Sequence, residues 1–445
     1  MHGSVEQGGR MRGRIHRAWL IGWWTVVLGM GFFGLAWGEE SRPPKIDTGD
    51  TAWVLMSSAL VLCMTLPGLA LFYGGLVRSK NVLGTIMHTA VILCVISLLW
   101  ILCGYSLAFG PDKGGLIGGL EWVGLQHVGL EPSSMYATTI PHQVFMMFQL
   151  MFAAITVALM TGSIAERMKF KALLIFSVLW SLFIYAPLAH WVWGGGWLAQ
   201  IGALDFAGGA VVHISSGFGA LVCAIMVGRR KGFAVEPMPP HNLPMTVLGT
   251  GLLWFGWFGF NAGSALGANE VAAAAFVATH TAAAAGGVSW MVAEWVHRGK
   301  PTVLGILSGI VAGLATVTSG AGFLGPISAM IIGLVAGTLC YVAVLWKMRL
   351  GYDDSLDVVG IHGVGGLTGI LATGLFASIG AQGWFFGNPG LFGIQVVLAL
   401  VTLAFSVIGT FMILKLVDVT IGLRVNPQEE QIGLDLSQHN ERAYS

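Results

Sequence analysis

Five histidines of this 445-residue chain fall in or near long apolar runs: His88, His190, His213, His280 and His362. An ionisable side chain placed in lipid costs several kcal/mol, so each needs a reason to be there. Imidazole can accept, release or relay a proton near neutral pH and can also ligate a metal. His213 and His362 stand apart from the other three. Asp205 lies eight residues before His213, and Asp354 lies eight residues before His362. Small residues follow each ring, Ser215-Ser216-Gly217 after the first and Gly363 with Gly365-Gly366 after the second. That composition predicts open space beside both imidazoles. Three arrangements fit it: a conduction path, a buried structural pair, and two axial ligands of a haem.

The remaining histidines read more plainly. His190 precedes Trp191 and Trp193 near a segment end and reads as an interfacial residue. His88 beside Thr89, and His280 between Thr279 and Thr281, read as partners in helix–helix hydrogen bonds. Asp205 precedes an apolar run and can cap that helix, and Asp354 and Asp357 can do the same for a later one. A fixed carboxylate near a path would also stabilise a passing cation.

These residues sit in a chain that cannot cover itself with charge. Residues are 55% hydrophobic and only 10% charged, against about 25% charged in a typical soluble domain. The 65 glycines suit close packing of helices in lipid. A net charge of +1 gives no basic footprint for nucleic acid. The five cysteines, Cys63, Cys94, Cys103, Cys223 and Cys340, lie in apolar runs without a CxxC pair and read as small buried hydrophobes.

Arg10, Arg12, Arg14 and Arg17 precede the apolar run Ala18 to Ala36, and Ala36-Trp37-Gly38 offers a small-residue cleavage site. Residues 1–38 therefore resemble a secretory signal, with a retained first helix as the alternative. Eleven further segments approach the roughly 20 residues needed to cross a bilayer. They cover 51–77, 82–109, 142–165, 171–193, 207–227, 244–262, 270–296, 302–318, 326–347, 357–378 and 393–422. Together they form the predicted membrane domain, 39–423, followed by a polar tail, 424–445, either disordered or a docking element.

Lys and Arg collect in cytoplasmic loops. Here they follow the odd-numbered segments: Arg78/Lys80, Arg167/Lys169/Lys171, Arg229/Arg230/Lys231, Arg298/Lys300 and Lys347/Arg349. The loops after even segments carry only Lys113. The alternation predicts an outside N-terminus and an inside C-terminus. Five spans separate the His213 and His362 segments, so an inverted repeat of five would set them in opposite orientations, with a site near the midplane. The external loop 110–141 carries Asp112, Glu121 and Glu131 and reads as a weakly acidic vestibule.

Several strings then resemble one family. Asp205 through His213 (DFAGGAVVH), continuing to Gly228-Arg229-Arg230, is similar to the signature of the Amt/Mep/Rh ammonium transporters. So are Pro67 to Asn81 (PGLALFYGGLVRSKN), Ser163 to Met168 (SIAERM), Gly256 to Ser264 (GWFGFNAGS) and Asp353 to Gly366. The similarity runs from about residue 51 into the tail and is nearer the bacterial Amt branch than the Rh branch. It implies an all-α polytopic fold of eleven transmembrane helices, two inverted five-helix repeats plus a peripheral eleventh, assembled as a homotrimer in the plasma membrane. It implies no cofactor and a non-enzymatic role.

By the same resemblance, an outer recruitment site falls on Trp193, Phe152 and Ser264, and a gate on Phe152 and Phe260. His213 and His362 become twin pore histidines, with Trp257 and Thr318 at pore positions. Asp205 supports the outer site, with Asp354 and Asp357 as further electrostatic support. The substrate would be ammonium, deprotonated and passed as ammonia with a separately relayed proton. Two positions depart from the pattern: Ser319 stands where proline is common, and His280 where an apolar residue is usual. Gly422-Leu423-Arg424 and Gly433-Leu434-Asp435 resemble the family's cytoplasmic tail, where a PII-type protein can act. Two other functions remain open on the residues alone: a membrane sensor that binds ammonium and signals through a partner, and an intramembrane haem enzyme, which would show a Soret band.

Overall fold

The computed structural model describes residues 45–444; the expected signal segment, 1–38, lies outside them. Among the described residues, ten helices are long and apolar enough to cross a membrane. They are α1 (Thr48–Leu76), α2 (Ser79–Phe109), α3 (His142–Ile164), α4 (Phe170–Gln200), α5 (Gly209–Val227), α6 (Leu243–Gly263), α7 (Glu270–Arg298), α9 (Pro326–Leu350), α10 (Val359–Phe376) and α11 (Pro389–Ile421). Between α7 and α9 lies α8 (Val303–Val317), apolar but only 15 residues long. At about 1.5 Å per residue it is shorter than a roughly 30 Å hydrocarbon core. The chain is a multi-pass membrane protein. Helices serve because lipid leaves no other partner for backbone N–H and C=O groups.

The glycines show how α8 holds its place. A Cβ on Gly313 would overlap the carbonyl of Ala282 in α7, and one on Gly309 would meet Gly286. From the other side, Gly333 and Gly337 of α9 approach the same two α7 carbonyls. One small-residue face of α7 thus receives two helices at backbone contact, where lipid supplies little other driving force. Gly313→Leu is expected to force these backbones apart. A loss of about 1–3 kcal/mol in stability follows from overpacking, read as a lower unfolding temperature in detergent. An unchanged unfolding temperature would contradict the contact.

At the end bearing the basic loops, several charges are paired. Arg78 donates to Glu166 from its backbone N–H and its Nε, both at 2.7 Å. Arg230 grips Asp353 with Nε and an amino group. Arg167 is fully buried and donates to the carbonyls of Gly228, Ser163 and Asp353. Burial alone would push the Asp353 carboxyl up, but the Arg230 hydrogen bonds and the charge of Arg167 hold it below the ordinary carboxylate range.

The polar tail docks on this end. Val425 N–H donates to the Arg167 carbonyl, Lys80 Nζ to the carbonyls of Glu430 and Gln431, and Gly84 N–H to the Asp435 carboxylate. Two short helices shape it, α12 (Pro427–Ile432) and α13 (Leu434–His439). A capping box between Asn426 and Glu429 starts the first.

Candidate conduction site

The two histidine helices begin alike. Asp205 accepts four backbone N–H bonds, from Gly208, Gly209, Ala210 and Val211, at 2.6–3.0 Å. Its carboxylate therefore caps the π-helical turn Gly209–Ile214 that carries His213. Gly208 sits at φ 110, a conformation a side chain would resist, and lets the chain double back onto that carboxylate. Asp354 accepts the Val359 N–H at 2.8 Å, opening the π-helical turn Val359–Gly363 that carries His362. Such π-turns widen a helix locally and are frequent at functional sites. Asp357 caps nothing: it pairs with Lys347, a pairing the sequence spacing did not suggest.

The two turns bring the imidazoles together. His213 and His362 stack at 5.1 Å between ring centroids, with their Nδ1 atoms 3.2 Å apart. Two nitrogens at that distance share one proton, one ring donating and the other accepting. His213 Nε2 is buried with no protein partner. Both rings face a narrow apolar cavity of about 10 Å³, bounded also by Phe260, Trp257, Leu159 and Val311. That volume admits about one small molecule.

The small residues that follow the rings are not what opens this cavity. A Cβ on Gly217 would overlap the Gly363 backbone, and one on Gly366 would press on His213. The small residues let α5 and α10 cross at contact instead. A haem fails here on geometry: rings stacked face to face at hydrogen-bond distance leave no plane for a porphyrin between them.

Next to the histidines, Phe152 and Phe260 stack at 4.2 Å and 20°. Beyond them, at the end opposite the basic loops, lies a wider cavity of about 320 Å³. Trp193, Phe152, Ser264, Tyr136 and Phe206 line it, with Gln149. Trp193 stands edge-on to Phe152 at 5.8 Å and 85°. Its indole N–H donates to the Asp205 carbonyl at 2.8 Å. Ser264 Oγ–H donates to the Phe260 carbonyl, which leaves its lone pairs free to accept.

Trp257 stacks on His213 at 5.6 Å. Thr318 does not reach the cavity. Its hydroxyl accepts the Trp257 indole N–H at 2.9 Å and donates to the Leu314 carbonyl, so it fixes Trp257 from behind.

Other expectations change. His190 is fully buried, held between the Ala108 carbonyl and Asp112. His88 makes no helix–helix hydrogen bond; it stacks on Phe170, and its Nδ1 has no partner. His280 is exposed on α7 and stacks on Trp254 at 5.2 Å. Only Cys223 and Cys340 of the five cysteines are buried. In the 110–141 loop Asp112 meets His190 and Glu121 meets Lys113, so two of its three acids are already engaged. Tyr136 and Phe206 escaped the sequence reading because aromatics are common here and neither lies at a telling spacing. Ser319, the departure from the proline pattern, accepts the Phe206 N–H on its carbonyl and packs against Gly209.

A sequence model of the Ammonium Transporter Family matches residues 52–444. The chain belongs to the ammonium transporter family. This family member is 52% identical over 405 residues to an ammonium transporter of Bacillus subtilis, covering 90% of this chain and 99% of that one. It is 50% identical over 403 residues to ammonium transporter Amt1 of Archaeoglobus fulgidus, covering 90% and 100%. In structure, the transporter resembles Saccharomyces cerevisiae Mep2 with a TM-score of 0.80 at 38% identity, covering 86% of this chain and 88% of Mep2. A sensor Amt protein is similar at a TM-score of 0.82 and 30% identity, covering 88% and 98%. The curated relatives are named as transporters, which points to a non-enzymatic role.

Proposed function

We propose that this protein carries ammonium across the plasma membrane by separating it into ammonia and a proton. The observation that carries the reading is the order of parts along one line: an aromatic and hydroxyl cup, a closed phenyl pair, then two hydrogen-bonded imidazoles in an apolar cavity. Trp193, Phe152 and Ser264 recruit NH4+ from outside. An aromatic face offers a cation about 0.5–2 kcal/mol, and Ser264 accepts one of its N–H bonds. Passing Phe152 and Phe260 strips the ion of water, which is costly for any charge in an apolar path. Potassium has no way around that cost. Ammonium does: it releases a proton and continues as NH3. His213 and His362 take and relay the proton, Trp257 holds the ring of His213 with Thr318 behind it, and NH3 and the proton rejoin inside.

In this reading α8 completes eleven crossings, with α1–α5 and α6–α10 as inverted repeats and α11 peripheral. The N-terminus is outside and the docked tail inside. Asp205 and Asp354 hold the two histidine turns, and Asp357 with Lys347 steadies the inner end. The protein works as a homotrimer with one path per subunit, and its tail offers a surface to a PII-type regulator.

The test is electrical. In liposomes on a supported membrane, an ammonium pulse should give a transient inward current and an equal potassium pulse none. Equal currents for both ions would overturn the reading.

A further inference from the structure

His190 has two oxygen partners and no other kind. Its Nδ1 lies 3.0 Å from the Ala108 carbonyl and its Nε2 lies 2.9 Å from the Asp112 carboxylate. A carbonyl and a carboxylate only accept, whereas a neutral imidazole has one donor nitrogen and one lone pair. With the ring neutral, one lone pair of this buried ring would face an oxygen, either the Ala108 carbonyl or the exposed Asp112 carboxylate. Both contacts are satisfied once a proton lies between Nε2 and the Asp112 oxygen. The hydrogen bond from His190 also holds the exposed Asp112 carboxyl below its ordinary range.

The chain that follows His190 wraps this ring. Trp193 N–H donates to the Ala189 carbonyl at 2.7 Å, and Gly194 and Gly196 N–H donate to the carbonyl of His190 itself. Gly194 has no room for a side chain: a Cβ there would lie 2.6 Å from His190 Nδ1 and overlap the Ala108 carbonyl. Asp112 takes a second bond from Gly115 N–H, and the Gly115 carbonyl accepts from Trp197 N–H. The Tyr136 hydroxyl donates to the Phe109 carbonyl in the same segment. Two walls of the wide cavity, Trp193 and Tyr136, thus hang from the segment that the His190–Asp112 pair ties down.

We propose that His190 and Asp112, sharing one proton, form a positioning couple that sets the Trp193 wall of the recruitment site. This rests on the reading of Trp193 as part of the outer site. Neither residue touches the substrate. The other charged and titratable groups beside the couple are engaged elsewhere: Lys113 by Glu121, and Tyr136 by the Phe109 carbonyl. When either partner is removed, the ring loses its tie to the outer loop and the turn at 193–196 loosens.

The experiment measures half-saturation, expressed as NH4+, and maximal current in proteoliposomes at neutral pH. His190→Gln, which can donate to only one of the two oxygens, should raise half-saturation by about twofold to thirtyfold with little change in maximal current, the span a displaced aromatic wall gives. Asp112→Asn is the conservative rescue. Its amide donates to Nε2, so half-saturation should stay near that of wild type, whereas Asp112→Ala, which offers the ring no partner, should match His190→Gln. This exposed-loop variant keeps the test open if His190→Gln folds poorly. Trp193→Leu separates the layers. If it raises half-saturation while His190→Gln and Asp112→Ala keep the wild-type value, the couple is refuted and the outer site stands. If Trp193→Leu leaves half-saturation unchanged, the outer-site reading fails and the couple with it.

Discussion

Replacing both His213 and His362 with alanine is expected to lower the ammonium current by about a hundredfold, the lower end of what a positioned proton acceptor contributes. The stacked pair at 3.2 Å between nitrogens is the one proton-accepting feature facing the narrow cavity, whose other walls are hydrocarbon and the Trp257 indole. Without it, ammonium beyond the phenyl pair has nowhere to leave its proton and meets the same barrier as potassium. Emptying two ring volumes also makes room for water, so potassium passage should rise relative to ammonium. Supported-membrane currents with each cation read both effects. A double variant indistinguishable from wild type toward both ions would remove the histidines from the mechanism.

The second large effect is at Asp205. Its carboxylate satisfies four backbone donors at once, and its carbonyl holds the Trp193 indole. In Asp205→Asn only one oxygen remains to accept. About two buried N–H groups lose their partner, at about 1–3 kcal/mol each. The charge at the start of the His213 turn is lost too. The expected result is a clearly lower unfolding temperature in detergent, together with weaker ammonium half-saturation as Trp193 drifts. A variant with wild-type unfolding temperature and current would show that the cap is not what holds the turn.

The sequence made some parts of this site readable and hid others for physical reasons. Spans were readable because a helix that crosses lipid must be long and apolar, and ten helices among the described residues qualify. The eighth segment was readable as apolar, yet its helix is only 15 residues long because glycine contacts, rather than length, hold it between α7 and α9. His213 and His362 were readable because an ionisable ring in an apolar run needs a reason, and the matched acids eight residues earlier do open the two histidine turns. Their direct contact was not readable, since it depends on α5 and α10 crossing at Gly217 and Gly363. Phe152 and Phe260 were two among 24 phenylalanines until the resemblance singled them out, and residue type alone cannot say which rings stack. Thr318 was assigned to the path, but one hydrogen bond moves it behind Trp257. The partners of His190, Ala108 and Asp112, were not readable because they lie about eighty residues away.

The central claim is that nitrogen crosses as NH3 while its proton crosses by the histidines. The most direct measurement counts charge and nitrogen together: proteoliposomes receive an ammonium pulse while the current and the luminal ammonium gained are recorded at once. The account predicts about one elementary charge for each nitrogen delivered, because each NH4+ that is split is reassembled inside. Luminal alkalinisation with nitrogen uptake and no current would mean that ammonia alone passes, and would contradict the proton relay assigned to His213 and His362.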